Sequence, residues 1–174
     1  MTKRPDMQRF ALSLLVTVAA LTGCASAPTA PLPTVASVDL ARYTGAWYEV
    51  ASLPNRFQKQ CVADTQARYR QTGADIEVVN RCRTADGKVD DITGVAKVVP
   101  DSGNAKLRVS FFRPFYGDYW VLALGSGQDY GWALVGEPTR QFGWVLSRTP
   151  TIAPAALEAA LARAEALGYV RSAF

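Results

Sequence analysis

Thr44-Gly45-Ala46-Trp47-Tyr48-Glu49-Val50 is the stretch on which the fold turns. Read as a strand, it alternates faces. Trp47, Glu49 and Ala51 then share one side, and Tyr48 and Val50 the other. Trp47 is too large to leave in water, and Gly45 lets the backbone turn tightly beneath it. An ordinary core tryptophan after a turn glycine would look the same, because Gly-x-Trp is a weak motif by itself. A second stretch near the other end, Leu146-Ser147-Arg148-Thr149-Pro150, adds weight: Arg148 could lie across the Trp47 face.

Outward from this strand the pattern is one short strand after another. Alternation predicts strands over 46–53, 62–71, 76–83, 92–99, 105–112, 119–124, 130–135 and 142–147. Turn signals separate them, among them Thr72-Gly73-Ala74-Asp75, Asp86-Gly87, Asp101-Ser102-Gly103-Asn104, Gly125-Ser126-Gly127 and Gly136 with Pro138. In 105–112, Leu107, Val109 and Phe111 face one way and Lys106, Arg108 and Ser110 the other. Regular short strands, each linked to the next, predict a sandwich or a closed up-and-down barrel. One helix follows. Thr151 can cap it, Pro154 suits its first turn and Gly168 its end. Leu157, Ala160, Leu161, Ala164 and Leu167 form its apolar stripe, which would pack against the outside of a barrel.

Several strands are apolar on both faces, as in Tyr119–Leu124, where Trp120, Leu122 and Leu124 alternate with Tyr119, Val121 and Ala123. Eight strands enclose a space that side chains can fill or that holds one small ligand. Small residues at candidate inner positions (Ala51, Ala67, Gly94, Ala96, Ala123) favour the hollow version.

The N-terminus reads differently. Lys3, Arg4 and Arg9 precede an apolar run, Phe10 to Leu21, too short for a comfortable permanent span. It ends in Leu21-Thr22-Gly23-Cys24, which resembles the lipobox of bacterial lipoproteins, with 1–23 the signal peptide and Cys24 the lipidated residue. A plain secretory peptide cut near Ala25 or Ala27 is the alternative. Several acyl chains on Cys24 would make a durable anchor. Ala25, not Asp, follows the cysteine, which favours the outer membrane, facing the periplasm. Residues 24–38, with Pro28, Pro31 and Pro33, read as an extended tether, and 39–174 as one domain with a single core.

Removing Lys3, Arg4, Arg9 and Asp6 takes the formal charge from +4 to +2. The high pI is therefore no argument for nucleic acid, and no basic cluster interleaves with stacking aromatics. The chain contains no histidine. That excludes Ser-His-Asp and Cys-His catalysis and His-ligated metals. Cys61 and Cys82 are too few for a Cys-only zinc site. In an oxidising periplasm they read as one disulfide across a predicted hairpin, two free buried thiols being the alternative. No cofactor or metal is expected.

Taken together, these motifs resemble the lipocalin family, and closely its bacterial outer-membrane branch, which also includes apolipoprotein D and plant temperature-induced lipocalins. Gly45-Ala46-Trp47-Tyr48-Glu49 matches the first family signature. Asp129-Tyr130 matches the end of the second, with Gln128 where the family usually has Thr. Arg148 in Leu-Ser-Arg-Thr-Pro matches the third. Ser110-Phe111-Phe112-Arg113-Pro114-Phe115-Tyr116-Gly117 is close to a segment of the bacterial branch. The resemblance implies an eight-stranded antiparallel barrel with a C-terminal helix outside, shut at one end by Gly45, Trp47 and Arg148. The mouth would then be formed by loops carrying Arg56, Phe57, Arg113, Phe115 and Tyr116, with Leu107, Val109, Phe111, Tyr119 and Val121 as lining candidates.

An apolar cup with a cationic, aromatic rim suits an amphiphile, tail inside and phosphate or carboxylate at the mouth. The expected function is binding, storing or shuttling fatty acids or lysophospholipids for outer-membrane maintenance, without covalent chemistry. A carrier of a ring-shaped ligand such as a tetrapyrrole or retinoid is the alternative. A lipocalin-type enzyme using Glu49 is a weaker one, since a lone carboxylate is thin evidence. A homodimer is left open.

Overall fold

Asp39 begins the regular structure. Its carboxylate accepts from the backbone N–H groups of Ala41 and Arg42, at 2.9 and 3.3 Å, and so caps a one-turn helix α1 (Leu40–Tyr43). Eight strands follow: β1 (Gly45–Ser52), β2 (Cys61–Thr72), β3 (Asp75–Thr84), β4 (Val89–Val98), β5 (Lys106–Phe112), β6 (Phe115–Leu124), β7 (Trp132–Gly136) and β8 (Gly143–Ser147). Helix α2 (Pro154–Ala166) and a 3-10 turn (Arg171–Ala173) end the chain. The structure, a computed structural model, describes residues 31–174. The expected signal peptide, Cys24 and the first part of the tether lie outside the described residues.

Each strand pairs antiparallel with the next, and β8 returns to β1, so the sheet is a closed barrel. This is the all-β architecture expected from the strand spacing. Two apolar clusters result. The inner one runs through Trp47, Tyr69, Val78, Leu107, Val135 and Leu146. The outer one lies between the barrel wall and α2, with Leu122, Leu134 and Val145 against Ala160, Ala164 and Leu167. The helical stripe is thus buried where the 3.6-residue period put it.

Bulges correct the face assignments. β1 slips register between Glu49 and Ala51, and an extra residue turns every later side chain over. Ala51 therefore joins the outer cluster, away from Trp47. β6 slips between Val121 and Ala123. Tyr119, Val121 and Leu124 then belong to the inner cluster, while Trp120, Leu122 and Ala123 belong to the outer one. Ala51 and Ala123 are thus not cavity positions. Ala67 and Ala96 do pack with the inner cluster.

Helix α2 starts without its expected cap. The N-cap residue is Ala153, with no side-chain bond, and the Thr151 carbonyl instead accepts from the Thr149 hydroxyl at 2.5 Å. Pro154 at the first helical position holds φ without needing a donor. Gly168, at φ +89°, ends the helix, with Tyr169 N–H donating back to the Ala164 carbonyl at 3.0 Å.

Residues 31–38 are irregular, as a tether would be, yet they lie on the domain. Leu32 and Val38 are 4% and 2% exposed, and Val35 N–H donates to the Val121 carbonyl at 3.0 Å. Cys61 and Cys82 form the expected disulfide, with Cα atoms 5.5 Å apart, linking the start of β2 to the end of β3.

Candidate functional site

At one end of the barrel the chain is shut by side chains that leave no group wanting. Trp47 is fully buried, and its indole N–H donates to the Tyr43 carbonyl at 2.8 Å. The Arg148 guanidinium lies 3.7 Å from the Trp47 ring centroid. Its five N–H groups meet five carbonyls: Nε donates to Asp129, Nη1 to Thr44 and Ala46, and Nη2 to Arg42 and Tyr43, at 2.5–3.2 Å. Gly45 sits here at φ +99°, and a Cβ on it would stand 3.5 Å from Arg148 Nη1. The backbone conformation demands glycine. Arg42 donates to the carbonyls of Gln128 and Gly127 at 2.7 and 2.8 Å, so two arginines hold the turn in which Gln128 stands.

Above Trp47 lies a cluster that sequence reasoning missed. The Tyr119 hydroxyl bonds those of Tyr43 and Tyr69, at 2.7 and 3.0 Å. Burial pushes all three phenols up, Tyr69 to about 12. The signal was present: Tyr69 and Tyr119 share the inward parity of Ala67 and Val121, and Asp39 before Leu40 announces the turn that brings Tyr43 in.

The other end is open. Deep inner residues such as Trp47, Val78, Ala96, Leu107 and Val121 are 0–1% exposed. Toward the far end the same inward parity reaches Ala67, Asn80, Val109, Phe111 and Trp144, all half-buried, and Ile92, 36% exposed. Solvent therefore reaches the inner wall in the upper half. Gly94 does not leave space, since a Cβ there would meet the Phe111 ring at 2.6 Å and that ring covers the glycine. From the mouth inward runs an aromatic series: Phe57 against Phe142 (5.5 Å between centroids), then Phe142 stacked on Trp144 (6.2 Å).

One polar network breaks the apolar lining. Glu49 accepts from the Ser52 hydroxyl at 2.6 Å and from Gln58 Nε2 at 2.8 Å. Gln58 Oε1 accepts from Asn55 and, at 3.3 Å, from the Trp144 indole. The network pins the β1–β2 loop across the mouth. Beside it, β1 and β2 pair only over Gly45–Tyr48. Where they part lies a cleft of about 380 Å³, lined in part by Tyr48, Glu49, Thr65, Gln66, Arg81 and Cys82.

The structure divides the residues expected to bind ligand. Leu107, Tyr119 and Val121 lie in the filled lower half, and Val109 and Phe111 on the accessible upper wall. Arg56, Phe57, Arg113 and Phe115 are exposed at the rim, while Tyr116 is half-buried with its carbonyl toward Arg108. Among the described residues no group of three His, Cys, Asp or Glu could hold a metal ion.

Residues 38–174 match the family model of the lipocalin-like domain. The outer membrane lipoprotein Blc of Citrobacter freundii is 38% identical over 157 residues, covering 88% of each chain. Temperature-induced lipocalin-1 of Arabidopsis thaliana is 42% identical over 124 residues, 66% of this chain and 65% of its own. Insecticyanin of the tobacco hornworm Manduca sexta superposes with a TM-score of 0.62 over 77% of each chain, at 24% identity, a likeness of fold. With its barrel closed by Trp47 and Arg148 and its whole domain covered by that match, the chain belongs to the lipocalin family, in the branch of the bacterial outer membrane lipoproteins.

Proposed function

We propose that this lipocalin carries one single-chain amphiphile, a fatty acid or a lysophospholipid, with the tail on the accessible upper wall and the head at the rim. The fold and the relatives support a lipocalin that binds a hydrophobic ligand. The observation that carries it is the one-ended exposure of the inner wall: apolar Ile92, Val109 and Phe111 reachable from a mouth that holds Arg56 and Arg113. An acyl chain needs a greasy wall with one entrance, and an anionic head needs donors beside it. Acylation of Cys24 and residence at the outer membrane, facing the periplasm, belong to the same proposal. The relatives named outer membrane lipoproteins support them.

The test is a titration of the delipidated chain, from residue 24 onward, with a fluorescent fatty acid and with a lysophospholipid. Saturable binding at one site, with quenching of Trp144, is expected. Absence of saturation with both overturns the reading. A turnover reaction that depends on pH and disappears in Glu49→Gln would replace a carrier with an enzyme. The bonds from Ser52 and Gln58 instead give Glu49 the work of holding the loop.

A further inference from the structure

Among the described residues seven large apolar side chains are exposed; five stand on the rim of the open end, and Ile92 lies on the inner wall beneath them. Phe57 (61% exposed) is in the β1–β2 loop. Val62 and Val89 begin β2 and β4. Phe112 (70%) and Phe115 (77%) flank Arg113-Pro114, the tip of the β5–β6 hairpin. Clustered exposed apolar groups mark an interaction surface, whereas the same groups scattered singly would mean nothing.

Charge indicates the partner. The β1–β2 loop carries Arg56 and Lys59, and the β5–β6 tip carries Arg113. Residues 53–60 and 112–117 contain no acidic residue. Arg56 lies 5.1 Å from the Phe57 ring centroid, so cation and aromatic project together. The β3–β4 loop differs: Asp86 pairs with Lys88, and Asp90 and Asp91 follow. The basic aromatic edge is therefore the pair of loops on opposite sides of the mouth.

We propose that these two loops dock the open end onto an anionic phospholipid bilayer, with Phe57, Phe112 and Phe115 entering the interface and Arg56, Lys59 and Arg113 among the headgroups. Paired phenylalanines at a two-residue tip enter an acyl boundary singly, whereas a protein partner would need a continuous complementary face. Each basic side chain near such a surface adds attraction that salt screens. Seven residues lie between Cys24 and Leu32, eight Cα–Cα steps with a reach of at most roughly 29 Å. An acyl anchor on Cys24, as proposed above, would therefore keep the domain close to a membrane without deciding which end meets it. The docking does not depend on which ligand the barrel carries.

The experiment is flotation of the delipidated chain from residue 24, carrying Cys24→Ala so that no anchor contributes. Vesicles are phosphatidylcholine with and without phosphatidylglycerol. Binding to the anionic vesicles that weakens with salt is expected. Each of Phe57→Ser, Phe112→Ser and Phe115→Ser should weaken it about tenfold. Phe115→Trp should add a blue-shifted emission, quenched by brominated acyl chains, on the same vesicles. Equal flotation of the triple serine variant, or an introduced indole that stays unquenched in the bound state, overturns the proposal. So does a chain that ignores vesicles but sediments as a dimer that the triple variant dissociates, because the surface would then serve a second copy. A failed ligand titration with intact flotation would sink the carrier reading alone.

Discussion

The two ends of this barrel solve opposite problems with similar residues. At the closed end an arginine lies over an aromatic ring, and so it does at the open end, in Arg148 over Trp47 and Arg56 beside Phe57. In the first pair the ring is fully buried, and the half-buried guanidinium is held by five carbonyls. The second is wet, with its phenylalanine largely exposed. A cation–π contact reaches about 2 kcal/mol when desolvated and falls to roughly 0.5–1 when exposed. The same chemistry therefore stabilises the fold at one end and remains available to a partner at the other. Where every donor is matched, residues serve the fold. Where apolar groups and cations are unmatched, as at the rim, we propose that they serve binding.

Perturbing each end in turn tests that contrast. Trp47→Ala should have the largest effect, about 3–5 kcal/mol, because a fully buried indole leaves a cavity. Thermal unfolding would show a midpoint lower by roughly 10 °C or more. Arg148→Met should cost about 2–4 kcal/mol in urea unfolding, since it removes the contact over Trp47 and takes one donor from each of five carbonyls, of which Tyr43 keeps the Trp47 indole. Arg148→Lys should rescue little, having neither the planar fork nor enough donors. Reducing Cys61–Cys82, which braces the open end across a separation of 21 residues, should cost about 3 kcal/mol in the same assay.

The tyrosine cluster gives the contrast a pH signature. A phenol whose pKa is raised on folding contributes stability that is complete below its unfolded value of 10.0 and falls as pH climbs toward the folded one. Between pH 10 and 12 Tyr69 alone should remove on the order of 3 kcal/mol, and Tyr43 and Tyr119 push the same way. Urea midpoints across that window measure the loss, and absorbance at the tyrosinate band should show these phenols ionising only as the protein unfolds. The smallest effect belongs to the rim. Phe112→Ser with Phe115→Ser should leave the unfolding free energy within about 0.5 kcal/mol of the parent, because both side chains are largely exposed.

Much of this was legible beforehand. Eight strands, their turns, the helical stripe and the cysteine pair followed from local periodicity, because a strand's alternation and a helix's 3.6-residue stripe are written in neighbouring residues. The lining was legible only in part. Leu107 and Val121 have the alternation of lining residues and do point inward, yet they belong to the filled half. Height along the barrel depends on strand tilt and register, and neither is a local property.

What the amino-acid order determined by itself is which residues must avoid water and at what period: Trp47 after Gly45, alternating Leu107, Val109 and Phe111, and the Ala160–Ala164 helical face. What only the tertiary structure decided is which side of the wall some of them occupy and which company they keep. The bulges at Glu49–Ala51 and Val121–Ala123 each insert one residue, and one residue exchanges inside for outside. The meeting of Tyr43, Tyr69 and Tyr119 joins segments far apart in the chain, and the ring of Phe111 over Gly94 depends on the register of β4 against β5.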